Sequence, residues 1–310
     1  MCNNISNNVC AVVVLFNPDA EIVKKLINSI MIMVDSIIII DNKSETGIPE
    51  LLEKNVLDEK VQLFHMANNL GLAAGQNVGI KWALEHEFDY ILLLDQDSIP
   101  QENMVEILID STVKLESQGF AVASVGPQHF DVRTGFKPKF HTKWNDLSSV
   151  SARDNTNIEE SMEITYLQSS GSLTSAKILR EVGLMDEALF IHHIDQEWCL
   201  RAKSKGFSCF AIPQATCAHT IGDRVIRIWI GRWRDVHIHS PRRHYFASRN
   251  SFLLYKRSYM PSYWIIRDAA HLLFIFVFNS LFVSPRWEHT SMMIKGMKDG
   301  ISDKCNIPTY

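Results

Sequence analysis

Two carboxylates that follow a short apolar run are the residues whose chemistry the sequence shows most directly. Residues 91–94 are all apolar and lead into Asp95 and Asp97. Such a run predicts a buried β-strand with the acids at its carboxyl end, and their spacing of two puts both side chains on one face. Paired hard oxygen ligands suit Mg²⁺ or Mn²⁺, with water and phosphate oxygens completing the coordination. The alternative is that the acids open a loop and that Ser98 begins the next helix.

Polar side chains also follow the first two predicted strands, which cover residues 9–16 and 35–41. Asn17 comes directly after the first strand, and Asp41 and Asn42 close the second. In an open α/β sheet, ligands bind beyond the carboxyl ends of the strands. An amide and a carboxylate there can read the edge of a base, because a carboxylate accepts the imide N–H of uracil or thymine. Taken singly, Asn-Pro and Asp-Asn are also common turn formers.

The elements that must position these side chains alternate between strand and helix patterns, which predicts a βαβ series with a parallel sheet. Further strands are predicted over residues 61–65, 120–125, 164–174, 189–194 and 208–212. Helices are predicted over residues 20–33, 48–55, 101–117 and 175–182, and another follows the small residues of 68–79. Residues 127–161 are polar and irregular, which is typical of a functional lid or a disordered loop. No Gly-x-Gly-x-x-Gly or phosphate-binding loop follows the first strand, which argues against a dinucleotide cofactor.

Three more residues in the second half are candidates for chemistry. Asp195 begins a predicted helix, where the plain interpretation is an N-cap. A fixed, ionised carboxylate beside a cleft is also a candidate general base, and Glu197 is the competing carboxylate. His219 follows the last of these strands and is a plausible third metal ligand, although a lone histidine is more often structural.

Length, charge and cysteine content exclude several classes. The 310 residues suffice for one large domain or two modest ones. A formal net charge of −4 does not suit a protein that binds nucleic acid over its whole surface. The six cysteines form no Cys-x-x-Cys pair and no zinc spacing, which predicts free thiols in a reducing cytosol. The first eight residues lack the basic start and apolar core of a signal peptide.

The composition changes from Arg224 onward, where arginines and aromatic residues interleave up to Arg257. Residues 263–283 are mostly apolar, but Arg267 and Asp268 interrupt them. This pattern predicts an amphipathic or monotopic helix at a membrane surface, beside a basic and aromatic patch that attracts anionic lipid or a diphosphate headgroup. The alternative is a core helix packed on the main domain. Nucleic acid is a weaker interpretation, since no recognition motif accompanies the patch.

Several motifs together resemble family 2 of the inverting glycosyltransferases, which have the GT-A fold. Leu-Asp-Gln-Asp-Ser98 and Arg-Arg-His-Tyr-Phe-Ala-Ser-Arg-Asn250 make the chain most similar to bacterial rhamnosyltransferases of O-antigen and polysaccharide assembly. The resemblance covers roughly residues 9–257. Its other motifs are Val-Val-Val-Leu-Phe-Asn17, Ile-Ile-Asp-Asn-Lys-Ser44, the Asn- and Gly-rich segment 68–79, Ser170-Gly-Ser172, Val-Gly-Leu-Met-Asp-Glu187, Asp-Gln-Glu-Trp-Cys-Leu-Arg201 and His219.

The resemblance implies a Rossmann-like α/β fold whose mostly parallel, mixed sheet is flanked by helices, with a helical C-terminal extension that associates with membranes. The implied domains are a GT-A domain over residues 1–222 and a basic, aromatic, helical region over residues 223–310. Within the GT-A domain, residues 9–100 would bind the nucleotide and residues 101–222 the acceptor.

The resemblance also implies roles for individual residues. Asp195 would be the catalytic base, and Asp41 would contact the pyrimidine. The full nucleotide and donor set is Asn17, Asp41, Asn42, Asn68, Gly71, Asn77, Asp95 and Gln96. The metal set is Asp95, Asp97 and His219, with Asp97 favoured as the direct ligand, and the acceptor set is Ser170, Gly171, Glu197 and Trp198. The pair His192-His193 departs from what relatives often carry, which leaves acceptor contacts near the base open.

The implied activity is metal-dependent transfer of L-rhamnose from dTDP-L-rhamnose to a lipid-diphosphate-linked saccharide. The protein would be cytoplasmic and bound peripherally to the inner face of the cell membrane. It would not bind nucleic acid and could form homo-oligomers. The alternatives are a UDP- or GDP-sugar donor, or a catalytically silent assembly protein that binds nucleotide sugars. A nucleotidyltransferase is disfavoured because no glycine-rich triphosphate loop follows the first strand.

Overall fold

The computed structural model describes residues 8–45, 59–131, 135, 161–219, 224–229 and 233–304, without the side chains of 219, 224–229 and 233–238. The chain divides into two compact units. The first unit consists of Met1–Glu187 and Trp198–Thr220, and the second of Ala188–Glu197 and Ile221–Tyr310.

A nine-stranded mixed sheet forms the centre of the first unit. Its strands are β1 (Val9–Leu15), β2 (Ser36–Asp41), β3 (Val61–His65), β4 (Tyr90–Asp95), β5 (Ile99–Pro100), β6 (Val122–Asp131), β7 (Met162–Ile164), β8 (Ser172–Ser175) and β9 (Ser208–His219). Their order is β3-β2-β1-β4-β8-β6-β9-β5, with β7 paired to β9. The first four strands are mutually parallel, whereas β8 runs antiparallel to β4 and β6. The predicted Rossmann-like mixed sheet is therefore confirmed.

The helices of this unit flank the sheet. They are α1 (Ala20–Ile30), α2 (Leu72–Glu85), α3 (Met104–Ser117), α4 (Ala176–Val182) and α5 (Ile194–Ser204), and a 3₁₀ helix covers Glu187–Leu189. The first residues of α5, up to Glu197, belong to the second unit. Asp19 caps α1 by accepting the N–H groups of Glu21 and Ile22, which satisfies two of the donors that a helix start leaves open.

Close packing holds the first four strands and the helices together. Every residue of β1 and β2 is buried, as expected for parallel strands that helices cover on both faces. Gly75 and Gly79 let α2 lie directly on β1, because a Cβ at either position would come within 2.7 Å and 2.3 Å of Val14 and Val12 respectively. Their four-residue spacing puts both glycines on the face of α2 that packs on β1.

The second unit contains a short hairpin and three helices. The hairpin pairs β10 (Arg224–Trp229) with β11 (Trp233–Ile238) in antiparallel register. The helices are α6 (Pro241–Leu254), α7 (Ser262–Phe282) and α8 (Arg286–Ile301). Gly296 and Gly300 allow α8 to approach the α6 backbone, since a Cβ there would lie 2.3 Å from the Tyr245 carbonyl oxygen and 2.4 Å from that of Arg249.

Several predicted elements differ from the structure. The predicted strand 189–194 is wrong, because Phe190, His192 and His193 have positive φ angles that a strand does not accommodate. The predicted strand 164–174 is two separate strands, β7 and β8. Residues 224–229 and 233–238 form two paired strands where a helical region was expected, since their arginines hid the alternation of a strand.

Two strands are longer than predicted for one reason. Strands β6 and β9 pair in parallel as far as Asp131 and His219, across register shifts that interrupt the ladder. Residues 127–131 of the predicted loop therefore belong to β6. Of the remainder, 132–134 and 136–160 lie outside the described residues, as does the predicted helix 48–55.

Candidate functional site

Four parallel strands bring the polar residues predicted from the sequence to one edge of the sheet. Strand β1 lies between β2 and β4, and in the register Leu15 pairs with Asp41 while Val14 pairs with Asp95. Asn17 follows β1 at the same edge. Ligands of open α/β sheets usually bind in the crevice beyond the carboxyl ends of the strands, at the point where the strand order reverses.

Side-chain amides join the strand ends at this edge. The Gln96 amide accepts a hydrogen bond from the main-chain N–H of Phe16 at 2.8 Å and donates to its carbonyl oxygen at 3.3 Å. The main-chain N–H of Asn17 donates to Ser44 Oγ at 3.0 Å, and Asn17 Oδ1 accepts from the N–H of Glu45 at 2.8 Å. Gln96 thus connects the end of β4 to β1, and Asn17 connects the end of β1 to the segment after β2.

Asp41 lies almost buried at the end of β2 with its carboxylate already hydrogen-bonded. Its Oδ1 accepts from the N–H and the hydroxyl of Ser44 at 3.0 and 2.6 Å, and its Oδ2 lies 3.1 Å from Nδ1 of His65. Burial tends to raise the pKa of Asp41, but the hydrogen bonds from Ser44 and the nearby His65 outweigh it and lower this pKa. Asp41 is therefore held as an ionised acceptor, the state that recognition of an imide N–H needs.

The predicted donor-binding residues Asn42, Asn68 and Gly71 lie in different environments. The buried amide of Asn42 donates to Asn69 Oδ1 and accepts the N–H of Leu70, both at 3.0 Å. It therefore positions the segment after β3 rather than presenting a free amide. Asn68 is exposed, and Gly71 begins α2 with a φ of 91°, a conformation that only glycine adopts readily.

The structure does not support the predicted contact between Asn77 and a donor sugar. Asn77 is 2% exposed. Its amide nitrogen donates to the Met185 carbonyl oxygen at 2.9 Å and to Glu187 Oε1 at 2.8 Å, and its oxygen accepts the Met185 N–H at 2.9 Å. These bonds use both N–H donors of the amide, so Asn77 fixes the loop after α4.

Two predicted acceptor residues, Ser170 and Gly171, form hydrogen bonds with β4, the strand that leads into the acidic pair. The buried hydroxyl of Ser170 accepts the main-chain N–H of Asp95 at 3.1 Å and forms a very short hydrogen bond with the hydroxyl of Ser98. The Gly171 N–H donates to the Leu93 carbonyl oxygen at 2.6 Å. These bonds give both residues a structural role at the end of β4, and their acceptor contacts stay a prediction. Ser98 is a buried partner of Ser170 rather than a helix cap.

The charges of Asp95 and Asp97 act on a buried thiol. Burial, together with the negative charges of these two carboxylates, raises the pKa of Cys217 to about 12. The thiol is therefore neutral at physiological pH. Cys10, Cys199, Cys209 and Cys217 are free and buried, which confirms the predicted free thiols for the cysteines that the structure describes.

The acidic pair offers two hard oxygen ligands at the sheet edge, both partly exposed. Carboxylates of this kind fit Mg²⁺ or Mn²⁺ when phosphate oxygens and water supply the other positions. Within the described side chains, no three His, Cys, Asp or Glu residues gather to hold a metal ion. The predicted third ligand, His219, ends β9, and its side chain lies outside the described part of the chain.

Asp195 is the second residue of α5 rather than its N-cap, because the helix begins at Ile194. The side chain of Asp195 is partly exposed. Glu197 is 1% exposed and accepts the hydroxyl of Tyr259 at 2.6 Å. Burial and this bond make Glu197 a structural contact of the second unit, so neither its predicted acceptor role nor its candidacy as the base is supported.

Trp198, the remaining predicted acceptor residue, belongs to the core of the first unit. It is 3% exposed, and its indole N–H donates to the Gly183 carbonyl oxygen at 2.8 Å. A buried indole with a satisfied donor is a packing element. The structure thus gives Trp198 a packing role, and its acceptor contact stays a prediction.

The predicted basic and aromatic patch is partly core. Tyr245, Phe246 and Arg249 are at most 1% exposed, and Phe246 stacks on Phe190 with ring centroids 4.6 Å apart. Sequence reasoning counted Arg249 as a surface charge and missed its interior role, because a stretch rich in arginine gives no sign of which one turns inward.

Helix α7 is long and apolar enough to cross a membrane, with 21 residues and a mean hydropathy of 1.6 over its most apolar window. Only 6% of that window is buried, so the alternative of a core helix is not supported. Its exposed apolar residues are Ile266, Leu273, Phe274, Val277, Leu281 and Phe282. An exposed apolar surface of this extent is unusual unless something covers it.

Comparisons with known proteins point to one family. Residues 10–183, more than half of the chain, match the model of glycosyl transferase family 2. The dTDP-rhamnosyl transferase RfbF of Shigella flexneri is 29% identical over 304 residues, covering 96% of each chain.

Solved structures share the fold at lower identity. TarS residues 1–349 of S. aureus, in complex with UDP-GlcNAc, aligns over 95% of this chain and 81% of its own, with a TM-score of 0.57 and 14% identity. GalNAc-T7 with UDP, GalNAc and Mn²⁺ aligns over 85% of this chain but only 54% of its own, with a TM-score of 0.57 and 16% identity. At these identities the likeness shows the fold alone, and the predicted GT-A fold is confirmed.

Proposed function

The chain belongs to glycosyl transferase family 2, and we propose that it transfers L-rhamnose from dTDP-L-rhamnose to a hydroxyl of a lipid-linked saccharide. One observation carries the transferase part of the proposal, namely that β1 separates the ends of β2 and β4 and so places Asp41 and Asp95 at one edge. The donor part is supported by the relative that is 29% identical over nearly the whole chain and is named a dTDP-rhamnosyl transferase.

The nucleotide would bind along this edge. Asp41, kept ionised by Ser44 and His65, accepts the imide N–H of thymine. Asn17 and Asn68, both exposed near the same strand ends, are the further donor contacts. Gln96 and Asn42 act through the main-chain segments that they hold. Thymine and uracil present the same imide edge, so Asp41 selects a pyrimidine nucleotide without selecting between them.

Asp95 and Asp97 would hold a divalent cation, Mg²⁺ or Mn²⁺. Such a cation, when bound, stabilises the negative charge that develops on the departing diphosphate. Ser170 and Ser98 hold the Asp95 backbone from behind, which fixes the ligands in advance and spares reorganisation during the reaction.

Asp195 would remove the proton from the acceptor hydroxyl as that oxygen attacks the anomeric carbon. The bond from the anomeric carbon to the diphosphate breaks as the new glycosidic bond forms, and the proton ends on the Asp195 carboxylate. A single displacement inverts the anomeric centre, so no enzyme nucleophile is needed. We assign Asp195 rather than Glu197 because Asp195 is partly exposed whereas Glu197 is buried against Tyr259.

A screen of nucleotide sugars by thermal shift, with and without Mn²⁺, tests the proposal. We expect dTDP-L-rhamnose with Mn²⁺ to raise the melting temperature most, since a ligand at about 100 times its Kd stabilises the folded state by about 2.7 kcal/mol. A larger shift with a UDP- or GDP-sugar would show that this sugar nucleotide, rather than dTDP-L-rhamnose, is the donor. No shift with any donor would overturn the proposal and leave a protein that does not use nucleotide sugars.

The acceptor would be presented at a membrane surface, on which the exposed apolar residues of α7 lie. We expect a Leu273→Glu, Phe274→Glu, Phe282→Glu variant to lose most of its binding to vesicles containing anionic lipid. The side chains of these residues are 64%, 54% and 68% exposed, and burying each apolar side chain in lipid contributes roughly 1.5–3 kcal/mol.

Sedimentation with vesicles measures this association. The control is Ile32→Glu with Val113→Glu, because these apolar residues are comparably exposed, at 82% and 51%, but lie in the first unit. The control should sediment like the wild type. Equal partitioning of the α7 variant and the wild type would show that α7 does not contact the membrane.

A further inference from the structure

The segment that precedes Asp195 follows a main-chain path that its own residues disfavour. Phe190, His192 and His193 have φ angles of 63°, 67° and 62°, in the left-handed region that residues other than glycine seldom adopt. Such conformations persist only where the surroundings impose them. Something outside residues 188–193 therefore has to hold this path.

One source of that constraint is Asn250, which is fully buried on α6. Its amide nitrogen lies 2.8, 2.7 and 2.9 Å from the carbonyl oxygens of Leu189, Ile191 and His192. Three carbonyl groups of one short segment thus converge on a single side-chain amide. This convergence fixes the direction of the main chain over the strained residues.

The second source is the adjacent Arg249, which is also fully buried. Its Nη2 donates to the carbonyl oxygens of Ala188 and Leu189 at 2.7 and 3.1 Å. Its Nε and Nη2 donate to Asn250 Oδ1 at 3.1 and 2.9 Å, which orients the Asn250 amide toward the segment. A buried guanidinium destabilises a fold unless its hydrogen bonds are well made, so its location here reflects a specific structural demand.

We propose that Arg249 and Asn250, together the α6 pair, are positioning residues for the transfer reaction. The last residue of the segment, His193, accepts the main-chain N–H of Glu197 at 2.8 Å, which is a first-turn bond of α5. By fixing the segment, the α6 pair sets where α5 begins and hence where the Asp195 carboxylate lies. This inference rests on the proposed role of Asp195 as the base.

Polar contacts from α6 and α7 support the same segment. The imidazole Nε2 of His193 lies 3.3 Å from Ser251 Oγ and 3.8 Å from a carboxylate oxygen of Asp268. Its Nδ1 lies 3.2 Å from the side-chain oxygen of Gln196, next to Asp195. The base is thus preceded and followed by residues with fixed partners, as a precisely oriented general base requires.

The decisive variant is Asn250→Asp, which keeps the size of the side chain and replaces its amide donors with a carboxylate facing three carbonyl oxygens. We expect kcat to fall roughly 100-fold, as small misplacements of a catalytic group do, while dTDP binds with an affinity within about threefold of the wild type. The control is Thr290→Val, also in the second unit, which loses the hydrogen bond between the Thr290 and Ser280 hydroxyls at 2.8 Å, a bond that involves no residue of the segment. Its kcat should stay within about threefold of the wild type.

A second variant keeps the test usable if Asn250→Asp does not fold. Arg249→Lys retains the charge but loses the forked donors, and we expect a roughly tenfold fall in kcat, again with dTDP affinity unchanged. Hydrogen exchange provides a readout that does not depend on turnover. The main-chain amides of residues 189–197 should exchange faster in both variants of the α6 pair and at the wild-type rate in Thr290→Val.

The inference is overturned if the folded variants of the α6 pair keep wild-type kcat, or if Thr290→Val loses as much. A failure of this inference can be distinguished from a failure of the proposed function. If only the inference fails, Asp195→Asn loses turnover while the α6 variants retain it. If Asp195→Asn itself retained turnover, the assignment of the base would be the part that is wrong.

Discussion

The Asp195→Asn variant is expected to lose roughly 10³-fold in kcat while binding dTDP-L-rhamnose with nearly unchanged affinity. The change replaces a proton acceptor with an amide of the same shape, and general base catalysis contributes about 10²–10⁴-fold. The proposed nucleotide site consists of residues at the sheet edge, among them Asp41 and Asp95, and Asp195 is not one of them. Steady-state kinetics and calorimetric binding of dTDP separate the two effects, because an interaction made only in the transition state lowers kcat without weakening ground-state binding.

Glu197→Gln is the comparison that identifies the base. Glu197 lies two residues further along the same helix and is buried against Tyr259. Its replacement should lower the melting temperature and leave most of kcat. If Glu197→Gln abolished turnover and Asp195→Asn kept it, the roles of the two carboxylates would have to be exchanged.

The Asp97→Asn variant is expected to show the second largest loss, roughly 10²–10³-fold in kcat, together with a higher Mn²⁺ requirement. Removal of one anionic ligand weakens the binding of a hard cation, and the cation contributes several kcal/mol of charge stabilisation in such reactions. Titration of turnover with Mn²⁺ after treatment with a chelator measures both effects.

The matched control for Asp97→Asn is Asp110→Asn, an exposed acid on α3. It changes the net charge equally and should leave both kcat and the Mn²⁺ requirement unchanged. A wild-type enzyme that kept full activity in excess chelator would show that the acidic pair holds no metal ion. In that case a loss of activity in Asp97→Asn would need another explanation.

The sequence predicted the sheet edge well because its signals are local. The apolar runs that form β1, β2 and β4 end in polar residues, and parallel strands bring those ends together whatever their order in the sheet. The order itself, with β1 between β2 and β4, depends on long-range pairing that no single window shows. The same holds for β6 and β9, whose lengths follow from pairing with each other.

The environments of individual side chains could not be predicted, because a motif names a residue but not the direction of its side chain. Ser170, Trp198 and Glu197 lie in matching motifs, yet all three are buried and hydrogen-bonded within their own units. Asn77 is likewise used to hold a loop. Residues that support a site and residues that contact a ligand occur in the same motifs. Side-chain burial, which the sequence does not show, distinguishes the two kinds.

The segment before Asp195 could not be predicted from its composition. Leu-Phe-Ile-His-His-Ile194 has the apolar content of a strand, but its path is set by Arg249 and Asn250, more than 50 residues further along the chain. Their carbonyl contacts overrule the local preference, in the way that tertiary context routinely overrules β-propensity. A run of arginines and aromatics gave no sign of this.

The measurement that tests the central claim most directly is the transfer reaction itself. Purified protein is incubated with dTDP-L-rhamnose labelled in the sugar, Mn²⁺ and a lipid-linked saccharide, and the label is followed into the lipid fraction. We predict that rhamnose is transferred with inversion at its anomeric carbon, at least about 10²-fold faster than sugars from UDP or GDP donors, the discrimination expected when donor-sugar contacts are lost. Label that stays in dTDP-L-rhamnose, or a faster transfer from a UDP- or GDP-sugar, would contradict the account.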